Sequence, residues 1–238
     1  VDPRPGVAGP GINPAGCEVH AFKAPSTAEL DHDFLWRIAT RAPERGRIGI
    51  FNRSHYEEVL VVKVHPELLE RQRLPDMPKL GRLWKERYES IRTFEKHLAR
   101  NGTTIVKFFL HVSKSEQKRR FLDRIADPEA HWKFDPHDVP ERVHFGAYQT
   151  AYQEALRETS REWAPWYAIP ADDKNYMRRV VAEILVDTLR KMDIRHPKPT
   201  REQRAAMAAA APMMSAKTVK ASAWPERAAL VRRSRHCL

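Results

Sequence analysis

Short apolar runs alternate along the chain with longer stretches in which apolar residues recur every three or four positions. The runs lie at residues 17–22, 47–51, 103–112 and 166–170, and their lengths suit β-strands. Each run is apolar on both faces, which is typical of a strand in a parallel sheet covered by helices on both sides. The alternation predicts an α/β fold with a mainly parallel sheet.

The longer stretches predict five helices, at residues 26–40, 82–100, 113–126, 139–161 and 172–192. Ser113 and Glu116 have the spacing of a capping box at the start of the third helix, and Asp172 is placed to cap the last one. Segment 56–65 is ambiguous, because its apolar centre favours a strand whereas the tyrosine and glutamates before it favour a helix start.

Composition narrows the class of protein. The chain has 238 residues, 42% of them hydrophobic, which is enough to bury a substantial core. No apolar stretch approaches the about 18 residues of a membrane-spanning helix. The two cysteines, Cys17 and Cys237, suggest neither a disulfide framework nor a metal site. We therefore expect a cytoplasmic protein that contacts no membrane.

Positive charge is concentrated at the carboxyl end. The net charge is +11, and the residues from 201 onward carry +6 of it. Residues 197–238 show no sustained amphipathic pattern, which predicts a basic, disordered tail with at most a turn or two of helix at 225–233. Residues 1–16, with four prolines and four glycines, are expected to be irregular, so the folded domain is 17–196.

Polar side chains follow the apolar run at 47–51. Asn52, Arg53 and Glu57 stand beyond the carboxyl end of a predicted strand, where open α/β sheets bind their ligands. Arg53 is able to chelate phosphate oxygens, and Asn52 or Glu57 is able to hold a metal ion or its waters. The alternative is a strand-end cap with a surface ion pair.

A second basic cluster lies on the helix predicted at 113–126. Arg120 and Arg124 are four residues apart, so they share a helix face and are able to converge on one anion. The alternative is a solvated basic face. Trp132 and Phe134 follow, where they would pack a mobile lid or stack on a base.

Other catalytic patterns are missing. The eleven histidines form no close pair of the kind that binds zinc in metalloproteases, and no cysteine pair accompanies them. The sequence therefore argues against a zinc site. The segment NRSH at 52–55 lacks the glycines that flank the nucleophile of serine hydrolases.

Several segments together resemble the second family of polyphosphate kinases, which are polyphosphate:nucleotide phosphotransferases. The resemblance covers about residues 11–195, in the order that the family has. The segments are GINPAGC (11–17), FKAPS (22–26), DFLWR (33–37), IFNRSHYEEVLVV (50–62), GTTIVKFFLHVS (102–113), WKF (132–134) and APWYAIPAD (164–172).

The resemblance implies a P-loop kinase-like three-layer sandwich with a parallel sheet and a helical lid at about 120–150. It implies phosphoryl transfer between inorganic polyphosphate and a nucleoside mono- or diphosphate (ADP/ATP or GDP/GTP, with ADP/ATP the first candidate), with Mg²⁺. The sequence does not decide the acceptor, the base or the direction of transfer. Asn52 and Arg53 would then occupy the family's Walker B region at the phosphates, with Glu57 close behind. Arg120, Arg124 and Lys133 would belong to the lid and bind phosphate. It also implies a helix over 56–65 and a homo-oligomer.

One family feature is missing from the sequence. Family members carry a β-strand and a Walker A loop with Asp and Lys before the segment that matches 11–17, whereas no glycine here is followed by lysine. The strand would lie between those at 47–51 and 103–112. We therefore expect a fragment or a misplaced start, with the first strand and P-loop absent and transfer impaired.

Two other functions stay open. A non-catalytic relative would bind polyphosphate or pair with an intact subunit, without transferring phosphate. Association with nucleic acid through the tail ranks lowest, since Trp224 is the only aromatic residue among the tail's charges.

Overall fold

The computed structural model describes residues 14–74, 79–192, 194 and 198–215. The chain divides into two compact units, Val1–Asp193 and Ile194–Leu238. In the first, the strands are β1 (Cys17–Ala21), β2 (Ile48–Asn52), β3 (Lys107–His111) and β4 (Trp166–Pro170). Its helices are α1 (Thr27–Leu30), α2 (Trp36–Ala39), α3 (Val61–Val64), α4 (Leu80–Arg100), α5 (Lys114–Ala126), α6 (Asp138–Glu141), α7 (Phe145–Thr159) and α8 (Lys174–Lys191). Short 3₁₀ helices lie at Pro14–Gly16, His55–Val59, Pro66–Gln72, Pro128–Lys133 and Arg142–His144.

The strands form two parallel pairs. β1 pairs with β2 in a register that sets Cys17 opposite Ile48, and β3 pairs with β4 with Lys107 opposite Trp166. The parallel arrangement confirms the α/β expectation, with each strand within a few residues of its predicted place. Within the described residues no strand pairing joins β2 to β3, so the structure has two small sheets where we expected one.

The sheets are less covered than the apolar runs suggested. Val19 of β1 and Ile50 of β2 lie opposite each other and are 68% and 48% exposed, and Leu110 of β3 is 43% exposed. The expectation that every strand is covered on both faces is therefore wrong for the described residues. Apolar composition alone does not distinguish a strand covered twice from one covered once.

The core lies between helices. Ile91 of α4 and Val59 of the 3₁₀ helix before α3 are completely buried, and Leu69 is 1% exposed. Ala151 and Ala155 of α7 are buried in the same cluster. Because alanines four residues apart present a smooth face, α7 packs closely against α4 and against the segment that follows β2.

A glycine stands just beyond the carboxyl end of helix α4. Gly102 has φ +91°, and its N–H donates to the carbonyl of Ala99 while the N–H of Thr103 donates to that of Leu98, at 3.0 and 3.1 Å. This is a Schellman motif, which favours glycine because a side chain is strained at positive φ. The motif turns the chain from α4 toward β3.

Three predicted helices are interrupted, and the one predicted at 139–161 is divided into α6, a 3₁₀ helix at Arg142–His144 and α7. Residues 26–40 form α1 and α2 rather than one helix, because the carboxylate of Asp33 accepts the N–H of Leu35 at 2.9 Å and turns the chain between them. The helix implied over 56–65 is a 3₁₀ helix followed by the four-residue α3.

The capping expectations are met in part. The Ser113 hydroxyl accepts the N–H of Glu116 at 3.1 Å, as predicted, but the Ser113 N–H donates to Asp172 Oδ1 at 2.8 Å instead of to Glu116. The cap of α8 is Asp173, whose Oδ1 accepts the N–H groups of Asn175 and Tyr176. Asp172, which we predicted as that cap, therefore ties the end of β4 to the start of α5.

Replacing Ser113 by Ala is expected to lower the free energy of unfolding by about 1 kcal/mol, because the first turn of α5 loses a hydrogen-bond acceptor. Urea denaturation measures the change. Ser90→Ala is the control, because the Ser90 hydroxyl donates to a carbonyl within α4 and caps nothing. Equal effects of the two substitutions would contradict the capping role.

The second unit contains α9 (Arg201–Ser215). We expected residues 197–238 to lack regular structure, and α9 shows that this expectation is wrong for residues 201–215. The helix is rich in alanine, the residue with the highest helix propensity. The turns of helix expected at 225–233 lie outside the described residues. Among the helices of the described part of the chain, none has the length and apolar character needed to cross a bilayer.

Candidate functional site

The backbone leaves the extended conformation directly after β2. Asn52 is the last residue of the strand, and its carbonyl accepts the N–H of Phe22 at 3.0 Å, so β1 and β2 end together. Arg53 then adopts a left-handed conformation, with φ +63°. The hydroxyl of Ser54 caps the next turn by accepting the N–H of Tyr56 at 3.3 Å. A non-glycine residue at positive φ costs of order 1–3 kcal/mol, and such residues cluster at functional sites.

The side chains of Arg53 and Glu57 meet above this turn. Arg53 Nη1 lies 3.8 Å from Glu57 Oε2, and the Arg53 side chain is 63% exposed. Burial raises the pKa of the Glu57 carboxyl, and the cations of Arg53 and Arg37 oppose the rise. The structure thus shows the surface ion pair of the alternative interpretation, and this pair leaves the Arg53 side chain largely exposed; phosphate binding by Arg53 stays a prediction.

Arg37 belongs to this region, and our interpretation of the sequence gave it no role. Its Nη2 donates to the carbonyl of Lys23 at 3.0 Å, and its Nε lies 3.1 Å from Glu29 Oε1. Its guanidinium stacks over the ring of Phe22 at 5.1 Å. These contacts fix Arg37 just beyond the end of β1. Arg37 is part of DFLWR (33–37), one of the segments that resemble the family, and this resemblance was the sequence signal that could have identified it.

Tyr152 of α7 lies near the charges of Glu57 and Arg53. Burial, followed by the charge of Glu57, raises the pKa of Tyr152, and Arg53 opposes this effect. The ring of Tyr152 also stacks on Phe109 of β3, with centroids 4.2 Å apart. Helix α7 thereby connects the residues after β2 to the second pair of strands.

The basic cluster on α5 is engaged by the protein itself. Arg120 Nε donates to Glu116 Oε1 at 2.7 Å, and Arg120 Nη2 donates to the carbonyl of Ala171 at 2.6 Å. Hydrogen bonds from Arg119 and Arg120 lower the pKa of Glu116 to about 2. Arg120 therefore joins α5 to the residues after β4.

Arg124 has different partners. Its Nη1 lies 3.7 Å from Asp138 Oδ2 of α6, and its guanidinium lies over the ring of Phe121. Arg120 and Arg124 thus point to separate carboxylates, although they share a helix face as predicted. The backbone of Lys133 ends a 3₁₀ helix, while its side chain lies outside the described part of the structure. That these cations converge on one ligand stays a prediction.

A buried ionic network supports the turn that carries Glu57. Lys107, the first residue of β3, donates to Glu95 Oε2 at 2.6 Å, to Tyr56 Oη at 2.9 Å and to the carbonyl of Thr159 at 3.1 Å. Tyr56 also donates to Glu95 Oε1 at 2.9 Å. Burial lowers the pKa of Lys107, and Glu95 opposes this. The network fixes Tyr56, the neighbour of Glu57, against α4 and α7.

Comparisons with known proteins agree on one family. A family profile described as Polyphosphate kinase 2 (PPK2) matches residues 10–197. An ADP-polyphosphate phosphotransferase of Rhodopseudomonas palustris is 52% identical over 195 residues, which are 82% of this chain and 68% of the relative. An AMP/ADP-polyphosphate phosphotransferase of Meiothermus ruber is 46% identical over 79% of this chain and 67% of the relative.

A solved structure gives the same result. The crystal structure of polyphosphate kinase 2 from Arthrobacter aurescens TC1 superposes with a TM-score of 0.76 at 39% identity, and the match covers 84% of this chain and 67% of that one. The similarity therefore extends over most of the first unit and spans about two thirds of each of these three proteins.

Proposed function

Because the chain belongs to the polyphosphate kinase 2 family, we propose that the residues after β2 bind phosphate groups during phosphoryl transfer between polyphosphate and a nucleotide. Relatives at 52% and 46% identity are named polyphosphate phosphotransferases, so the chain is an enzyme by family. The observation that carries the proposed site is the exposed guanidinium of Arg53. Arg53 directly follows a parallel strand and has a left-handed backbone conformation.

Arg53 has the chemistry that a phosphate chain requires. Its planar fork of N–H donors is able to contact two oxygens of one phosphate, which a lysine ammonium does with less geometric control. Phosphoryl transfer depends chiefly on positioning and charge stabilisation. The backbone places Arg53 at the end of a strand before the ligand arrives. Its charge therefore serves both positioning and charge stabilisation.

Glu57 and Arg37 support that cation. The Glu57 carboxylate is close enough to Arg53 to orient its guanidinium, at 3.8 Å, while leaving it exposed. Arg37 adds positive charge near the same carboxylate and is itself fixed by Lys23 and Glu29. We infer that Arg37 is a positioning residue and that Arg53 contacts phosphate.

The donor set after β2 is compatible with Mg²⁺. Asn52 and Glu57 offer an amide oxygen and a carboxylate, and Mg²⁺ takes oxygen ligands, commonly one or two carboxylates together with waters and substrate phosphates. We propose that Asn52 or Glu57 holds the ion, directly or through water. When bound, Mg²⁺ would neutralise negative charge on the phosphates.

The lid assignment remains part of the proposal. Arg120 and Arg124 already have carboxylate and carbonyl partners, so phosphate binding by them requires these contacts to open. The short helical segments between Pro128 and His144, each with little buried surface of its own, support a region that rearranges. The role of Lys133 in this lid is proposed from the resemblance alone.

The choice of acceptor is inferred from the relatives. One is named for ADP and another for AMP and ADP, and we propose ADP, giving ATP, as the preferred reaction of this chain. The homo-oligomer and the cytoplasmic location stay predictions.

A finer proposal concerns the loop that cradles the phosphates. No glycine in the 238 residues is followed by lysine, and β2 and β3 are not joined by strand pairing in the described residues. We propose that a strand and a glycine-rich loop, supplied by residues additional to this sequence, insert between β2 and β3, and that transfer is impaired without them.

Replacing Arg53 by Lys is expected to weaken polyphosphate binding about tenfold, because the charge remains while one charge-assisted hydrogen bond is lost. Fluorescence anisotropy of an end-labelled polyphosphate chain measures the dissociation constant. Arg82→Lys is the matched control, since Arg82 is exposed at the start of α4 and pairs with Glu86.

The basic tail is present in both variants, so the difference between them reports on residue 53. Equal affinities of the two variants, or no saturable binding by the wild type, would contradict the proposed site. Binding that persists without transfer even when the loop is supplied would favour the non-catalytic alternative.

A further inference from the structure

Three potential metal ligands meet where the end of α3 contacts the start of α7. His65 Nε2 lies 2.7 Å from Glu141 Oε1, and ligand atoms of His65, Glu141 and His144 all lie within 4.8 Å of one another. The rings of His65 and His144 are 4.9 Å apart and nearly perpendicular, at 72°. We propose that these side chains form a binding site for a divalent transition-metal ion of the Zn²⁺ class, although the spacing of the histidines in the sequence argued against a zinc site.

The ligand types suit that class of ion. Two imidazoles and one carboxylate are a ligand set that binds Zn²⁺ with the fourth position open to water. Soft thiolates are not needed, and imidazole nitrogen is a poor ligand for Mg²⁺ or Ca²⁺, which take oxygen. The site would therefore discriminate against the ion that we propose for phosphoryl transfer.

The backbone supports the arrangement. Glu141 ends α6, and His144 ends the 3₁₀ helix that follows. They are three residues apart, so their side chains emerge on one side of the helical turn. His65 lies between α3 and the next 3₁₀ helix, and its φ and ψ of −122° and 72° end α3 there. Two separate segments of the chain thus supply the three ligands.

Neighbouring side chains orient the proposed ligands. Glu67 Oε1 lies 3.2 Å from His65 Nδ1, so a carboxylate fixes the ring with Nε2 directed at Glu141. Tyr148 donates to Glu141 Oε1 at 2.6 Å. A carboxylate on the distal ring nitrogen and a hydrogen bond to the ligating carboxylate are the usual supports of a histidine metal site.

The contact between His65 and Glu141 is a hydrogen bond in this structure. Ligands about 2.0–2.1 Å from a tetrahedral ion are separated by roughly 3.3 Å. The ion would therefore take the place of the proton between Nε2 and Oε1, and the two side chains would move apart by about half an ångström, within ordinary rotamer freedom. His65 and Glu141 are partly exposed and His144 is exposed, which gives the ion and a water ligand access.

The test is Zn²⁺ binding by the full chain after removal of metal with a chelator. Titration with ZnCl₂ against a chromophoric chelator should show one saturable site per chain. Co²⁺ in place of Zn²⁺ should give the visible absorption of a four-coordinate ion. His144→Ala should weaken Zn²⁺ binding at least about tenfold, and Glu67→Gln should weaken it about 10–100-fold through the orientation of His65.

The matched control is His137→Ala, which removes an exposed histidine of the same stretch whose partner is Asp135. It should leave Zn²⁺ affinity unchanged, and millimolar Mg²⁺ should not displace Zn²⁺. No saturable Zn²⁺ binding by the wild type, equal affinity of His144→Ala and wild type, or equal losses in His137→Ala and His144→Ala would each overturn the proposal. Substitution at the exposed His144 avoids reliance on His65, whose removal also affects the packing beside α3.

Discussion

Replacing Lys107 by Met is expected to lower the free energy of unfolding by about 3–5 kcal/mol, because it leaves the Glu95 carboxylate buried without its cation. Lys107 and Glu95 have side chains that are 8% and 3% exposed and lie 2.6 Å apart. A carboxylate at such a position cannot recover its charge partner from solvent. Equilibrium unfolding in urea, followed by circular dichroism, measures the loss.

A second substitution distinguishes charge from shape. Adding Glu95→Leu to Lys107→Met removes the unpaired charge, and most of the lost stability should return, because well-packed apolar groups often replace a buried ion pair without cost. Lys85→Met is the control, as Lys85 is exposed on α4, and it should change stability by less than about 0.5 kcal/mol. A loss for Lys107→Met no larger than that control would show that the pair is not effectively buried.

Fusing a strand and a Gly-Lys loop of the family's type to the amino terminus is expected to raise polyphosphate-dependent formation of ATP from ADP at least about a hundredfold over the 238-residue chain. Loss of one preorganised donor to a developing charge costs about 10²–10³ in rate, and such a loop provides several backbone N–H groups and an ammonium. A luciferase assay for ATP measures the rates.

The control for this fusion carries alanine in place of the loop lysine. It keeps the added strand and therefore separates repair of the sheet from chemistry at the phosphates. We expect it to gain stability but little activity. Full transfer by the 238-residue chain without the fusion would refute the proposal that the loop is needed.

Local sequence patterns predicted the elements that local contacts build. β4 lies at Trp166–Pro170, as expected, because a short apolar run between turn residues has one natural conformation. The predicted helix at 26–40 failed for an equally local reason, since the Asp33 carboxylate binds the N–H of Leu35 and competes with the helix. That competition depends on a side-chain rotamer, which hydrophobic periodicity does not report.

In and around the candidate site, too, contacts between residues near in sequence were predictable and contacts between distant segments were not. That Arg53 and Glu57 lie close together was predictable, because they are four residues apart just after one strand; that they and Asn52 act on phosphate stays a prediction. The partnership of Lys107 with Glu95, and of His65 with Glu141, joins segments that are distant in sequence or on different elements. These pairs could not be predicted, because a single sequence without its fold gives no information about which of its charged side chains meet.

The left-handed backbone at Arg53 has a consequence for evolution and engineering. Glycine or asparagine adopts φ +63° with less strain than arginine, so selection for thermal stability alone would favour replacing this residue. Selection for phosphate binding would retain it. Position 53 is therefore a place where stability and activity are expected to oppose each other, and a stabilised variant that changes it would have exchanged one property for the other.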